Sequence, residues 1–212
     1  VNDIGPPKDR PVDYVSNMLE LSNRSSFAVY ISNWVKEYYQ NKGNIATEAV
    51  VVYNGVDRSV FYPKEHNLGD KIKLVSHHWS NNHLKGWDIY KQIDEWIGGQ
   101  ENIEFTFIGN LAKDANLKNT KVIPPLHGKE MASEIRKNDI YVTASRFEPC
   151  GMHHIEGIAC GLPILYHKDG GGIVEAGKKY GIGFDNFEDF KTQLENISLN
   201  HKQYYDIIRE EF

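Results

Sequence analysis

The sequence predicts an α/β protein built on a doubly wound parallel sheet, and three observations carry that prediction. From Lys71 onward, short apolar runs alternate with amphipathic segments in strand-helix order. One run, DIYVTAS (139–145), has almost no polar interruption, as a strand covered on both faces requires. The 212 residues are 40% hydrophobic, 12% aromatic and 25% charged, a composition able to build a core. With 24 Lys plus Arg against 29 Asp plus Glu, the net charge is −5, which excludes a basic nucleic-acid binder on bulk charge.

In chain order, Val1 to Arg10, with Pro6, Pro7 and Pro11 nearby, reads as loop or extended chain. FAVYIS (27–32), NWVKEYYQNKG (33–43) and EAVVVYNGVD (48–57) form one strand-helix-strand unit, too little to close a core by itself. KIKLVSHH (71–78) is a strand, and the helix at 86–97 carries Trp87, Tyr90, Ile93 and Ile97 on one face. IEFTFIGN (103–110) and KVIPP (121–125) are strands, GKEMASEIRKN (128–138) a helix and DIYVTAS the next strand. A helix is expected from Gly151 to Cys160, with Met152, Ile155, Ile158 and Ala159 facing the sheet and Gly161-Leu162-Pro163 ending it. PILYH (163–167) is the last clear strand, and 187–212 reads as one or two helices. No apolar run approaches the roughly 18 to 20 residues of a membrane span. Cys150 and Cys160 sit ten apart in one expected helix, roughly 15 Å from each other, so they do not pair; two unpaired thiols suit the cytoplasm.

The segment SRFEPCGMHHIEGIACGLP (145–163) holds the densest cluster of unusual residues, at the end of the central strand. In an open parallel sheet ligands bind there. Unpaired helix-start amides near Gly151 and Met152, together with the helix dipole, suit a phosphate, and Gly151 lets an anion approach closely. Glu148 and Glu156 can reach different hydroxyls of one extended ligand. On spacing alone, Glu148 serves equally well as a dipole complement and Glu156 as a solvent-facing helix residue.

E-P-C-G-M-H-H-I-E followed by G-I-A-C-G-L-P resembles the E-x7-E signature of retaining glycosyltransferases of family 4, which have the two-domain GT-B architecture. VVYNGVD with VFYP (51–63), LKGWD (84–88), FIGN (107–110) and DGGGIVEAG (169–177), the last read as a glycine-rich loop, resemble further family segments in the right order. The resemblance covers roughly residues 27 to 212. It implies residues 1–66 as the remnant of an N-terminal acceptor domain and 67–212 as a Rossmann-like donor-binding domain. It also implies transfer of a sugar from a nucleoside diphosphate sugar, with retention and without cofactor or catalytic metal; the chain has no D-x-D sequence. Carried onto this sequence, Glu148 contacts donor sugar hydroxyls, Glu156 the ribose, and Lys85 with the amides of Gly151 and Met152 the diphosphate. Cys150, Ser80, Asn81 and the Gly170-Gly171-Gly172 loop complete the donor pocket, with the base near Pro125 to Gly128, including His127.

One position departs from the family. Six residues before Lys85, where an arginine usually clamps phosphate, stands Trp79. Ser80, Asn81 or His83 could donate hydrogen bonds instead, and Arg146 could supply charge if it turns inward. Three other readings are weaker. Gly172 to Lys178 has P-loop spacing, but Lys179 replaces the Ser or Thr that ligates magnesium. Cys150, His153, His154 and Glu156 suggest a metal site, yet adjacent helical histidines point about 100° apart. Paired glutamates suggest a glycosidase, whose carboxylates must flank a scissile bond. A start at Val1 and a single strand-helix-strand unit ahead of the main domain point to a piece of a longer enzyme, inactive alone. A noncatalytic nucleotide-sugar-binding or protein-interaction module of the same fold is the rival. Acceptor and base are not specified, and any membrane association would lie in segments outside this chain.

Overall fold

The computed structural model describes residues 12–43, 48–65 and 68–212. The extended chain expected at Val1 to Arg10 lies outside them. Among the described residues, no helix is long and apolar enough to cross a membrane.

The N-terminal part comprises α1 (Val12–Asn23), β1 (Phe27–Tyr30), α2 (Asn33–Asn41) and β2 (Glu48–Val51). Helix α1 has no counterpart in the sequence reading. Strands β1 and β2 pair in parallel as a two-stranded sheet, and Tyr30, Val35 and Tyr39 bury a small core beneath them. The Ser32 side chain accepts the Val35 amide and caps α2.

The main sheet follows: β3 (Ile72–His78), α3 (Trp87–Ile97), β4 (Ile103–Gly109), β5 (Lys121–Ile123), α4 (Gly128–Ile135), β6 (Ile140–Thr143), α5 (Met152–Ala159), β7 (Ile164–His167), α6 (Ile173–Tyr180), β8 (Gly181–Phe184), α7 (Phe187–Leu199) and α8 (His201–Glu211). Its six strands are all parallel, in the order β5-β4-β3-β6-β7-β8. Strand alternation splits the core between two faces. Leu74, Phe105, Phe107, Ile140 and Val142 pack against Trp87, Tyr90 and Ile93 of α3 and Phe190 and Leu194 of α7. Val75, Ile108, Tyr141 and Ile164 pack against Met131 of α4, Ile158 of α5, Ile173 of α6 and Ile208 of α8. Phe61, with Val56 and Val60 beside it, joins this second face, so the chain leaving β2 is anchored on the main domain.

Two expectations are corrected. The glycine-rich segment 169–177 is a loop only to Gly172; Ile173 starts α6 because its side chain is fully buried against the sheet. This also removes the P-loop reading, since Gly177 lies inside a helix with its Cα against the Tyr166 ring. Met152 does not face the sheet. It is 40% exposed at the first turn of α5, while His153, His154 and Ile155 turn inward.

Candidate functional site

After β3 the chain builds outward through β4 and β5, then returns to place β6 on the other side of β3. The loops leaving β3 and β6 therefore diverge and open a crevice at their carboxyl ends. A cavity of about 290 Å³ lies there, lined by Asn54, His77, His78, Trp79, Ser80, Lys85, Glu148, Cys150, Gly151, Met152, His153 and Glu156.

Lys85 ends a short 3-10 turn, His83–Lys85, that the Asn82 side chain caps by accepting the Leu84 amide at 2.9 Å. Gly86 closes it in the left-handed region, φ +83, directly against the Ala144 backbone that ends β6. Across the cavity, the Lys85 ammonium donates to Glu148 Oε2, with both side chains almost buried. Glu148 is held by its backbone: its carbonyl accepts the Gly172 amide at 2.7 Å and its amide donates to Gly170. The N-terminal part clamps the same loop, since Ser32 Oγ donates to the Pro149 carbonyl at 2.6 Å and Asn54 Nδ2 to that of Cys150 at 2.7 Å. Gly151 then caps α5 with no side-chain hydrogen bond, and Gly151, Met152 and His153 at this helix start line the cavity.

Glu156, about one turn into α5, carries the second carboxylate. Its Oε2 lies 2.6 Å from His77 Nε2, and His77 Nδ1 lies 3.0 Å from the Tyr141 hydroxyl. Successive strand residues point to opposite faces, so His77 joins α5 while His78 enters the aromatic cluster of Trp87, Tyr90 and Phe107. Burial pushes His78 and His154 down to about 3, and His153 well below the usual range, with the Lys85 charge adding to each shift. All three are neutral at pH 7, and Lys85 is the only lysine or arginine among the described residues lining the cavity. Burial also pushes the Cys150 thiol up, so it stays protonated.

The glycosyl transferases group 1 pattern matches residues 88–210, more than half of the chain. The chain belongs to this family. It is 26% identical over 162 residues to an uncharacterized glycosyltransferase of Methanocaldococcus jannaschii, covering 71% of this chain and 42% of that protein. To a probable sucrose-phosphate synthase of Thermosipho melanesiensis it is 24% identical over 192 residues, covering 79% of this chain and 44% of the relative. The chain thus spans less than half the length of these curated relatives. Among solved structures, sucrose-phosphate synthase from Thermosynechococcus elongatus superposes with TM-score 0.78 at 14% identity, covering 98% of this chain and 58% of that one. HepE of Anabaena, solved with UDP and glucose, gives 0.76 at 16% identity, covering 98% and 63%. The six-stranded parallel sheet is that of the C-terminal domain of GT-B glycosyltransferases.

Lys85, Glu148, Cys150, Gly151, Met152, Glu156 and Ser80 meet in the cavity. Asn81, His127, Gly171 and Gly172 are not among its lining residues. Asn81 is exposed, as is His83. His127 stacks on Trp79, ring centroids 4.4 Å apart, so it touches the cavity rim through that indole. Gly171 and Gly172 back the Glu148 loop: a Cβ on Gly172 would lie 2.0 Å from the Pro149 carbonyl oxygen. Arg146 does not turn inward. It grips Asp88 through two hydrogen bonds, of 2.9 and 2.8 Å, and holds the Asp88 carboxyl below its usual range. Sequence reasoning missed Asn54, His77, His78 and His153 as lining residues, and of these His77 is the one that hydrogen-bonds a predicted site carboxylate, Glu156. Its only signal was a pair of histidines ending a central strand, where the pleat must send one to each face.

Proposed function

We propose that this chain is the donor-binding part of a retaining glycosyltransferase of the family 4 type that works without a metal. Residues 67–212 form the donor domain, and 1–66 are the last piece of an acceptor domain. The observation that supports it best is one cavity at the divergence of the β3 and β6 loops that gathers Lys85, Glu148, Glu156 and the start of α5. The nucleoside diphosphate sugar lies along these groups: ribose on Glu156, diphosphate on Lys85 and the amides after Gly151, sugar on Glu148.

The Lys85–Glu148 ion pair gives the site a way to exchange partners. When diphosphate takes the ammonium, the Glu148 carboxylate is released to accept sugar hydroxyls. As the glycosidic bond to phosphate breaks, negative charge grows on the departing diphosphate, opposed by Lys85 and the helix dipole. Losing one such group costs about 3 kcal/mol of barrier, roughly a hundredfold in rate. Trp79 in place of a cation leaves Lys85 to do this alone among the lining side chains, with Ser80 as a neutral donor beside it. Family membership favours transfer over a purely binding role for the fold.

Thermal-shift measurements with uridine, guanosine and adenosine diphosphates test the reading, because a ligand of the folded state raises its stability. One of the three is expected to raise the midpoint of the wild type and to lose that effect in Lys85→Ala. Absence of any shift with all three contradicts it. Turnover is expected from a longer chain that includes a complete acceptor domain, and not from this one.

A further inference from the structure

His77 is 2% exposed and sits between two hydrogen-bonding groups, Glu156 on α5 and the Tyr141 hydroxyl on β6. Tyr141 is fully buried, and it reaches this point because α5 passes directly over it. A Cβ on Gly157 would lie 2.5 Å from the Tyr141 ring, so only glycine permits the approach. The hydroxyl also accepts the His77 backbone amide at 3.2 Å and lies 3.1 Å from the His77 carbonyl oxygen.

That arrangement decides which way the imidazole is polarised. The Tyr141 hydroxyl has one proton and two acceptors within reach. When it donates to Nδ1, the single ring proton of a neutral imidazole is on Nε2, directed at Glu156. When His77 is an imidazolium, Nδ1–H donates to the tyrosine oxygen, whose proton turns to the His77 carbonyl. In both states Nε2–H faces Glu156 Oε2, and no polar atom of the trio is stranded. Lys85 is paired to Glu148, and His153 meets the His77 ring edge-on at 6.3 Å while its own Nε2 lies 3.1 Å from Thr143 Oγ1. His78 faces away into the α3 side. None of these groups competes for Glu156.

We infer that His77, oriented by Tyr141, is a positioning residue that locks the Glu156 carboxylate in one rotamer, holding Oε2 so that Oε1 faces the ligand. A free glutamate at that point would lose side-chain entropy each time it bound a hydroxyl. A carboxylate already fixed by the imidazole has lost most of that freedom before the ligand arrives. The inference deepens the donor-site reading and rests on Glu156 as the ribose-binding carboxylate. It adds a group outside the motifs read from the sequence, one that touches the Glu156 carboxylate.

The test is a calorimetric double-mutant cycle on the 212-residue chain, titrated with uridine, guanosine and adenosine diphosphates in turn. His77→Phe, which keeps a ring but removes the donor, is expected to weaken the diphosphate that binds by about tenfold. In a Glu156→Ala background the same substitution is expected to change nothing further. His77→Gln, whose amide can donate over a similar reach, should recover most of the loss. Tyr141→Phe provides a second route that leaves the histidine in place; a smaller loss, of about threefold, is expected, again absent in Glu156→Ala. An undiminished affinity in His77→Phe overturns the inference, as does a loss equally large with and without Glu156. Failure of all three diphosphates to bind the wild type overturns the donor-site reading along with it, whereas binding that ignores His77 and Tyr141 overturns the positioning role alone.

Discussion

Replacing Gly86 by alanine perturbs the joint on which the cavity is built. Gly86 has φ +83, and a Cβ there would lie 2.2 Å from the Ala144 carbonyl oxygen and 2.4 Å from the Ala144 Cβ. Ordinary contacts are about 3.5 Å, so the two backbones must separate by about 1 Å. A left-handed L-residue costs about 1–2 kcal/mol, and overpacking adds about 1–3. A total of about 3 kcal/mol is expected, a fall in Tm of roughly 6–12 °C for a chain of this size. The strain lands on the site, because Lys85 precedes Gly86 and Ala144 leads to Glu148. The hydrogen bond from the Arg146 amide to the Leu84 carbonyl, 2.8 Å, ties the same two segments. A displacement of about 1 Å there is expected to cost about a hundredfold in turnover by the full-length enzyme. Urea unfolding measures the stability part: the midpoint should fall with the slope unchanged. Gly55→Ala is the control, since nothing lies within 4 Å of its added Cβ. Equal midpoints for the two variants would refute the argument.

Two further substitutions probe the supports of the site. The Asp94 carboxylate accepts the amides of Lys118, Asn119 and Thr120 at 2.9, 2.9 and 2.7 Å, and the Thr120 hydroxyl at 2.6 Å, fixing the approach to β5. Asp94→Ala should cost about 3 kcal/mol in chemical denaturation. Burial pushes this carboxyl up, but the hydrogen bonds outweigh it and hold the pKa below 3.8. Its stabilisation is therefore present above pH 3.8 and lost as pH falls through the lowered value, so Asp94→Ala should flatten the acid limb of the stability profile. The Glu175 carboxylate on α6 accepts the Trp34 amide at 2.8 Å, the Asn33 amide at 3.2 Å and the Tyr53 hydroxyl at 2.7 Å, joining the N-terminal part to the main domain. Burial raises the Glu175 pKa, and these donors outweigh that and bring it below 4.5, while the same contact pushes the Tyr53 phenol up to about 12. Glu175→Gln should cost about 1–2 kcal/mol above pH 4.5, an effect that fades in acid. Hydrogen exchange should quicken across α2 and not across β3 or β6.

Much of this was legible in the sequence because period and punctuation agreed with the tertiary structure. DIYVTAS reads as a buried central strand and is one, and the Trp87, Tyr90, Ile93 and Ile97 face of α3 packs on the sheet. The elements that escaped are those whose residues answer to distant neighbours. Helix α6 contains Gly177, a poor helix residue that is there because the Tyr166 ring leaves a Cβ no room. Strand β8, GIGF, has two glycines and little strand propensity, yet a Cβ on Gly181 would lie 1.9 Å from the Ile164 carbonyl oxygen. In the site, Lys85, Glu148 and Glu156 were legible because they stand in segments that resemble family motifs, Lys85 in LKGWD and the two glutamates in the E-x7-E run. The role of His77 was not. It depends on Tyr141 passing beneath Gly157, a contact between residues 16 apart, and on the Glu156 rotamer. Arg146 was misread because its partner, Asp88, lies 58 residues away at the start of α3.

A crystal structure of the chain with the nucleoside diphosphate that stabilises it tests the central claim most directly. The diphosphate should lie against Lys85 Nζ and the amides that follow Gly151, with the ribose on Glu156 and the Lys85–Glu148 pair opened. A diphosphate found elsewhere, for example in the apolar cavity of about 290 Å³ between α1 and β1, with Lys85 still on Glu148, would contradict it.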